Sequence, residues 1–331
     1  MDLEEYTNLT EKNSFFESTN ITTPEEFDAI YDEKTKEEDW LFRGIHEAKY
    51  KIYTSAQREW LKKEYWKQGF HYEKFIQSII NNIRNNRILS NYYKSLNINE
   101  NDLLYISLLQ HYGAPTPLLD FTHNFKIALH FALEKAQLIQ SVNEIDNYFS
   151  IYIIDKRKCG TNLVDIISLL KNGLKLGEKR LKDYLNRYAN QPNMVIDYSV
   201  LCNVDKYTKW IKNDGSKDGL HKIDCSFLDN PLISETISMY KTNTVLYWSN
   251  INLIAQQGCF ILYTKDKEPL EQYFGFINRE LPKLCCINIH KSLAEYIKNK
   301  YITDRLDIYP DMNLMCKDAY KNFRKEYWQI L

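Results

Sequence analysis

The sequence predicts an α+β fold with several helices flanking the sheet. Apolar residues at helical spacing dominate the chain up to Ala136, whereas strand-like runs begin at Phe149 and return at Gly258 and Leu284. These strands do not alternate regularly with helices, which argues against a parallel α/β sheet. A chain of 331 residues, 44% of them apolar, can bury a substantial core.

Local signals predict the elements of the first half. Residues 1–38 are polar and contain a helix start at 22–27, where two threonines precede Pro24. Residues 40–44 are predicted to form a short buried strand that ends in a turn. Helices are predicted from Ser55, over 71–93 (with Phe75, Ile79, Ile80 and Ile83 on one face), over 103–112 and over 123–136.

The second half is predicted to supply most of the sheet. Strands are predicted at 149–155, 258–263 and 284–289, and helices begin at Ser292 and Met312. Residues 156–245 mix short helices, at 163–170 and 181–188, with a polar loop at 212–219. We interpret them as an elaboration of the fold. The predicted organisation is a polar N-terminal segment (1–38) followed by one domain (39–331).

Composition argues against several classes of protein. A formal net charge of −1 gives no global basic field of the kind that nucleic-acid-binding proteins carry. The seven cysteines include no C-x-x-C pair, which argues against a disulfide framework and a zinc site. The N-terminus does not resemble a signal peptide, and no segment reaches the roughly 18 apolar residues of a membrane span. We therefore expect a cytoplasmic protein with no membrane partner.

Residues 109–122 are the most informative segment. They combine glutamine, histidine, aspartate, two threonines, a glycine and two prolines between two apolar flanks. Pro115 and Pro117 disfavour helix, so we expect a rigid polar turn, a common way to present binding groups. For Asp120 and Thr122, an alternative is that they cap the next helix.

Three motifs resemble a known family. Leu-Phe-Arg-Gly at 41–44, Gln-His-Tyr-Gly-x-Pro-Thr-x-Leu-Leu-Asp-Phe-Thr at 110–122 and Ala-Gln-Gln-Gly-Cys-Phe at 255–260 resemble the FRG domain, named for its Phe-Arg-Gly motif. Ser-x-x-Arg at 55–58 and Ile-Tyr-Pro-Asp at 308–311 add smaller matches. The resemblance therefore runs from about residue 40 to about residue 318.

The order of the motifs also resembles that of ADP-ribosyltransferases. These carry an early aromatic-Arg-Gly, then Ser-Thr-Ser, and a glutamate on a late strand. Segments 42–44, 120–122 and 256–258 fall at the corresponding places. The resemblance implies a mixed or antiparallel sheet core of ADP-ribosyltransferase-like type that takes NAD as its substrate.

The late glutamate is absent, because Gln256, Gln257 and Gly258 stand at its place. Glutamine can hydrogen-bond a hydroxyl but cannot offset the positive charge of an oxocarbenium-like transition state. Three interpretations stay open: Asp120 supplies the charge, the chemistry differs, or the site binds without reacting.

The remaining polar residues of the motifs have candidate roles. Arg43 could anchor a phosphate or ribose beside the open backbone of Gly44, or form a structural ion pair with Asp120. His111 is the candidate general acid or base. The catalytic candidates are His111, Asp120 and Gln256; the ligand-binding candidates are Arg43, Gly44, Gln110, Thr116, Thr122 and Gln257. His111, His123 and Asp120 show no ordered ligand spacing, so we expect no metal.

Two hypotheses lead. The first is an NAD-dependent ADP-ribosyltransferase or NAD glycohydrolase, acting as a bacterial toxin or anti-phage effector on a protein or nucleic-acid acceptor. It requires Arg43, His111, Asp120 and Gln256 to surround one cleft. The second is a non-catalytic sensor that binds a nucleotide or a partner through the same pocket. A third interpretation treats every motif as caps and buried hydrogen bonds.

Overall fold

The computed structural model describes residues 2–36, 38–98, 100–136, 141–156, 232–235, 250–276, 284–302 and 308–327. Its strands are β1 (Glu17–Ile21), β2 (Trp40–Ile45), β3 (Leu118–Thr122), β4 (Tyr148–Asp155), β5 (Leu232–Glu235), β6 (Gly258–Leu262) and β7 (Cys285–His290). They form one mixed sheet in the order β1-β7-β4-β2-β3-β6-β5. The β1–β7 pair is parallel, and the other pairings in this sheet are antiparallel. The predicted α+β class is confirmed.

Helices surround the sheet. They are α1 (Leu9–Asn13), α2 (Pro24–Lys34), α3 (Ser55–Lys63), α4 (Tyr72–Arg84), α5 (Arg87–Ser95), α6 (Asp102–His111), α7 (Phe125–Glu134), α8 (Ile251–Ala255), α9 (Leu270–Phe276), α10 (Ala294–Tyr301) and α11 (Met312–Tyr327). Helices α2 and α3 begin where they were predicted to begin. Thr23 and Glu26 form a capping box before α2, and Thr54 and Gln57 form one before α3. Within the described residues, no helix is long and apolar enough to span a membrane.

Apolar cores cover both faces of the sheet. In β4, Phe149, Ile151 and Ile153 join one core, to which α2, α7 and α10 contribute. Tyr148, Tyr152 and Ile154 of the same strand join the other core, which includes residues of α1 and α9. Successive side chains of a strand point to opposite faces, so this alternation shows that β4 is buried on both faces.

Two predicted elements were wrong. The helix predicted over 71–93 is two helices, because the side chain of Asn86 accepts hydrogen bonds from the amides of Ile88 and Leu89 and starts α5. Of the face predicted for that helix, Ile80 is buried and Phe75, Ile79 and Ile83 are half-buried, while Tyr72 and Ile76 are further buried residues of α4.

The segment predicted as a turn before α7 contains a strand. Residues 118–122 form β3, which pairs with both β2 and β6. The proline-rich turn is confined to the residues before it. The short helices predicted at 163–170 and 181–188 and the loop at 212–219 lie outside the described residues.

Candidate functional site

The predicted site residues gather around one cleft at the middle of the sheet. This first cleft has a volume of about 430 Å³ and is lined by residues of β2, β3, β6, α6, α7 and α8 and by Tyr309. Seven of the nine predicted residues line it: Arg43, Gly44, Gln110, His111, Asp120, Thr122 and Gln256. Thr116 and Gln257 are not among the lining residues. The geometric condition of the enzyme hypothesis is therefore met, while the roles of these residues stay predictions.

Arg43 lies in β2 and reaches the neighbouring strand β3. Its Nη1 donates to the backbone oxygen of Asp120 at 2.6 Å and lies 4.0 Å from Asp120 Oδ2. The side chain is 18% exposed, and Nε is buried with no hydrogen-bond partner among the described residues. Burial lowers the pKa of Arg43, and the charge of Asp120 offsets part of this effect. Arg43 therefore contacts Asp120 mainly through its backbone oxygen, with the two charges 4.0 Å apart, and other guanidinium donors have no hydrogen bond among the described residues.

Asp120 presents an oriented carboxylate to solvent. Its side chain is 59% exposed, and Oδ2 accepts a hydrogen bond from Gln110 Nε2 at 2.6 Å. Gln110 Oε1 in turn accepts from Thr116 Oγ1, and Thr116 is buried. Thr116 therefore does not contact the cleft; it fixes Gln110, which fixes Asp120.

His111 lies at the C-terminal end of α6, on the edge of the first cleft. Its side chain is exposed and contacts the ring of Tyr112. Partial loss of surrounding water lowers the pKa of His111 below its ordinary value of 6.5. The imidazole is therefore predominantly neutral at pH 7 and can accept a proton.

Gly44 lines the first cleft and also allows close packing between β2 and α7. A Cβ at this position would lie 1.8 Å from the backbone oxygen of Ala128 in α7. Helix α7 therefore rests directly on β2 on the side where a Gly44 side chain would point, while Gly44 also lines the first cleft.

The hydroxyl of Thr122 is used inside the protein. Thr122 Oγ1 donates to the backbone oxygen of Gln256 at 2.6 Å and accepts from the amide of Asn124 at 3.0 Å. Asn124 is the residue that caps α7. Neither Asp120 nor Thr122 is the helix cap, although Thr122 does bind an amide of the turn before it.

The two glutamines form the tight turn between α8 and β6. Gln256 lines the cleft, and its Nε2 donates to the backbone oxygen of Ile308 at 3.2 Å. Gln257 is exposed, has a φ of 45°, and its backbone oxygen accepts a hydrogen bond from the amide of His123. Its positive φ and backbone contact indicate a role in the turn.

Several lining residues were not predicted as site residues. Phe131 and Tyr309 meet edge to face at the cleft, with ring centroids 6.1 Å apart and an interplanar angle of 82°. Asn250 caps α8, and Asn252 follows within that helix. The Ile-Tyr-Pro-Asp motif at 308–311 was a signal for Tyr309; capping asparagines carry no comparable sequence signal. No group of three or more potential metal ligands occurs within the described ranges.

Comparison with known proteins identifies part of the chain. The family model of the FRG domain matches residues 38–140, a shorter span than the motifs at 255–260 and 308–311 suggested. No curated protein and no solved structure matches the chain. The matched span contains Arg43, Gln110, His111 and Asp120, which all line the first cleft. The chain therefore carries an FRG domain, matched over residues 38–140.

Proposed function

We propose that the first cleft binds a nucleotide and that the protein acts on NAD as an ADP-ribosyltransferase-like enzyme. The observation that carries this proposal is the exposed carboxylate of Asp120, oriented by Gln110 and lying beside the buried guanidinium of Arg43. Arg43 would hold a phosphate or ribose oxygen through its remaining donors.

In the proposed reaction, Asp120 supplies the negative charge that Gln256 cannot. The bond between nicotinamide and ribose C1′ breaks, and nicotinamide leaves with the electron pair. A carboxylate near C1′ would stabilise the positive charge that develops there. The hydrogen bond from Gln110 (2.6 Å) holds this carboxylate in one orientation before the reaction, which limits reorganisation.

His111 would act as the general base. Its lowered pKa keeps the imidazole neutral at pH 7, so it can take the proton from the attacking hydroxyl of an acceptor or from water. Phe131 and Tyr309 offer aromatic surface for a base or nicotinamide ring. The acceptor we propose is a protein or a nucleic acid, in the setting of a bacterial toxin or anti-phage effector.

One observation favours the second function, a non-catalytic nucleotide sensor. The side chain of Gln256 already donates to the backbone oxygen of Ile308. The hydroxyl of Thr122 already donates to the backbone oxygen of Gln256. Two of the predicted site side chains are therefore partly committed to the fold, which suits a site that binds without turnover.

The test is nicotinamide release from NAD by the full chain, with transfer of labelled ADP-ribose to lysate components as a second readout. We expect Asp120→Asn to lower kcat by about 10²–10³-fold with little change in NAD affinity. His111→Gln should also spare binding and reduce turnover. Asp32→Asn, an exposed aspartate of α2, is the matched control and should behave like the wild type.

The other outcomes separate the two functions. NAD or ADP-ribose binding without nicotinamide release in the wild type would reject the enzyme and support the sensor. Absence of binding, measured by calorimetry, would reject both. Growth arrest on expression that depends on Asp120 would support the toxin role.

A further inference from the structure

A second cleft adjoins the first and shares Arg43 and Gly44 with it. It has a volume of about 800 Å³, within the range of small-molecule sites. It is lined by the N-terminal residues Asp2–Glu5, the end of β2, the segment after β2 and helix α3. Arg58 and Lys62 of α3 add positive charge to that of Arg43. Arg43 therefore stands between two cavities.

The lysines on the N-terminal side of the second cleft form ion pairs with acidic residues. Lys51 Nζ lies 2.9 Å from Glu4 Oε2. Lys49 Nζ, close by, lies 3.6 Å from Glu5 Oε2. The acidic residues Glu4 and Glu5 are thus engaged with these lysines rather than with the arginines.

Arg43 and Arg58 have no such close ion pair among the described residues. Arg58 Nη1 donates to the backbone oxygen of Tyr53 at 3.2 Å, and Arg58 has no ion-pair partner among the described residues. Partial loss of water and repulsion from Arg43 lower the pKa of Arg58. Asp120, 4.0 Å from Arg43, is the carboxylate that acts on both arginines. Arg43 and Arg58 thus line one cleft, and among the described residues neither guanidinium has a hydrogen bond to a carboxylate.

We propose that Arg43 and Arg58 together bind the diphosphate of a nucleotide that extends from the first cleft into the second. A guanidinium presents a planar fork of donors that fits one phosphate group, so two such forks fit two linked phosphates. This inference rests on the proposed function and narrows its ligand class to diphosphates.

The test compares two ligands and three variants of the full chain by isothermal titration calorimetry. The ligands are ADP-ribose and inorganic pyrophosphate, with AMP as the monophosphate reference. Loss of a charged hydrogen-bonding group should cost about 10–150-fold in affinity, so Arg58→Gln should weaken ADP-ribose and pyrophosphate binding by that factor. The affinity for AMP should change less, because Arg43 alone can bind one phosphate.

The remaining variants control for charge and folding. Arg87→Gln removes an exposed arginine of α5 that lines neither cleft, and it should bind like the wild type. Arg58→Lys keeps the charge without the fork, and it should recover part of the lost affinity. Thermal unfolding of each variant establishes that the fold is intact.

The outcomes separate this inference from the proposed function. ADP-ribose binding that is unchanged in Arg58→Gln overturns the diphosphate site and leaves the proposed function standing. Pyrophosphate binding that depends on Arg58, without ADP-ribose binding, supports the diphosphate site and rejects the proposed function. If neither ligand binds the wild type, both are overturned.

Discussion

Gly44 sets the distance between the sheet and α7 at the point where Arg43 enters the cleft. A Cβ at position 44 would lie 1.8 Å from Ala128 O and 2.8 Å from Ala132 N. Both atoms belong to helix backbone and cannot rotate away, so the position requires the absence of a side chain. The Phe-Arg-Gly motif thus joins a charged residue that faces the cleft to a packing residue beside it.

We expect Gly44→Ala to destabilise the fold by about 3 kcal/mol or more, at the upper end of overpacking effects, because α7 must move away from β2. Gly69→Ala is the control: its φ is +79°, but a methyl group there would have no atom within 4 Å. Strain alone should cost it about 1–2 kcal/mol. Urea unfolding of both variants measures the free energy of unfolding of each. Equal losses of stability in the two variants would contradict the packing explanation.

Residue types in the motifs predict that polar side chains gather, but not which way each one points. Arg43, His111, Asp120 and Gln256 do line one cleft. Thr116 is equally polar, yet its hydroxyl is buried against Gln110. The difference arises from long-range packing: Thr116 exchanges hydrogen bonds with Ser55 at the start of α3, a contact that no local pattern encodes.

At the level of elements, Thr122 links three of them. It ends β3, and its hydroxyl connects the end of α8 to the turn before α7. Both of its partners are backbone groups, and the residue is buried. Loss of the hydroxyl would leave a backbone acceptor and a backbone donor without their partner.

We expect Thr122→Val, which keeps the shape but loses the hydroxyl, to lower the free energy of unfolding by about 1–3 kcal/mol. Thr122→Ser keeps both hydrogen bonds and should cost less. Chemical denaturation gives the stabilities, and calorimetry gives ligand affinity. A Val variant that is as stable as wild type but binds ADP-ribose poorly would instead make Thr122 a ligand-binding residue.

Strand β3 shows why one element was missed. A strand with one face in solvent alternates apolar and polar residues, and this alternation is the usual signal. Residues 118–122 are buried on both faces except for Asp120, and they follow Pro115 and Pro117. A central strand beside prolines carries no alternation, so the segment was interpreted as a turn. By contrast, the start of α2 is signalled by neighbouring residues alone, and the prediction of that helix is confirmed.

At the scale of the whole molecule, the segment before residue 38 is built into the sheet. Strand β1 pairs in parallel with β7, more than 260 residues later in the sequence. Its residues 17–21 are mostly polar and exposed, which explains why the sequence did not predict a strand. The FRG match contains β2 and β3, whereas β4 and β6, which flank them, lie outside it. The matched residues therefore depend on the rest of the chain for their neighbours in the sheet.

A buried polar network joins the N-terminal segment to this sheet. Lys12 of α1 is fully buried and donates to Ser150 Oγ of β4 at 2.5 Å. Ser150 donates to Asn288 Oδ1 of β7 at 2.8 Å, and Asn288 Nδ2 donates to Asn13 and Asn20. Burial lowers the pKa of Lys12, and the neighbouring Cys286 and Glu271 offset part of this effect.

The sign of the resulting pH dependence follows from proton uptake. Where the pH lies between the lowered pKa of folded Lys12 and its unfolded value of about 10.4, the unfolded chain binds a proton that the folded chain does not. The contribution of Lys12 to stability therefore rises with pH across this window. Lys12→Met removes the titrating group, while Ser150 keeps its hydrogen bond to Asn288. We expect the stability of the wild type, relative to Lys12→Met, to increase as pH rises toward about 10.4.

At neutral pH we expect Lys12→Met to be neutral or to stabilise by about 1–4 kcal/mol, since it relieves a buried charge and keeps a long apolar stem. Lys12→Ala, which leaves a cavity, should destabilise by about 2–5 kcal/mol. Urea unfolding of all three proteins at a series of pH values measures both effects. If Lys12→Met lost as much stability as Lys12→Ala at every pH, the ammonium group itself would hold α1 to the sheet, and the desolvation argument would be wrong.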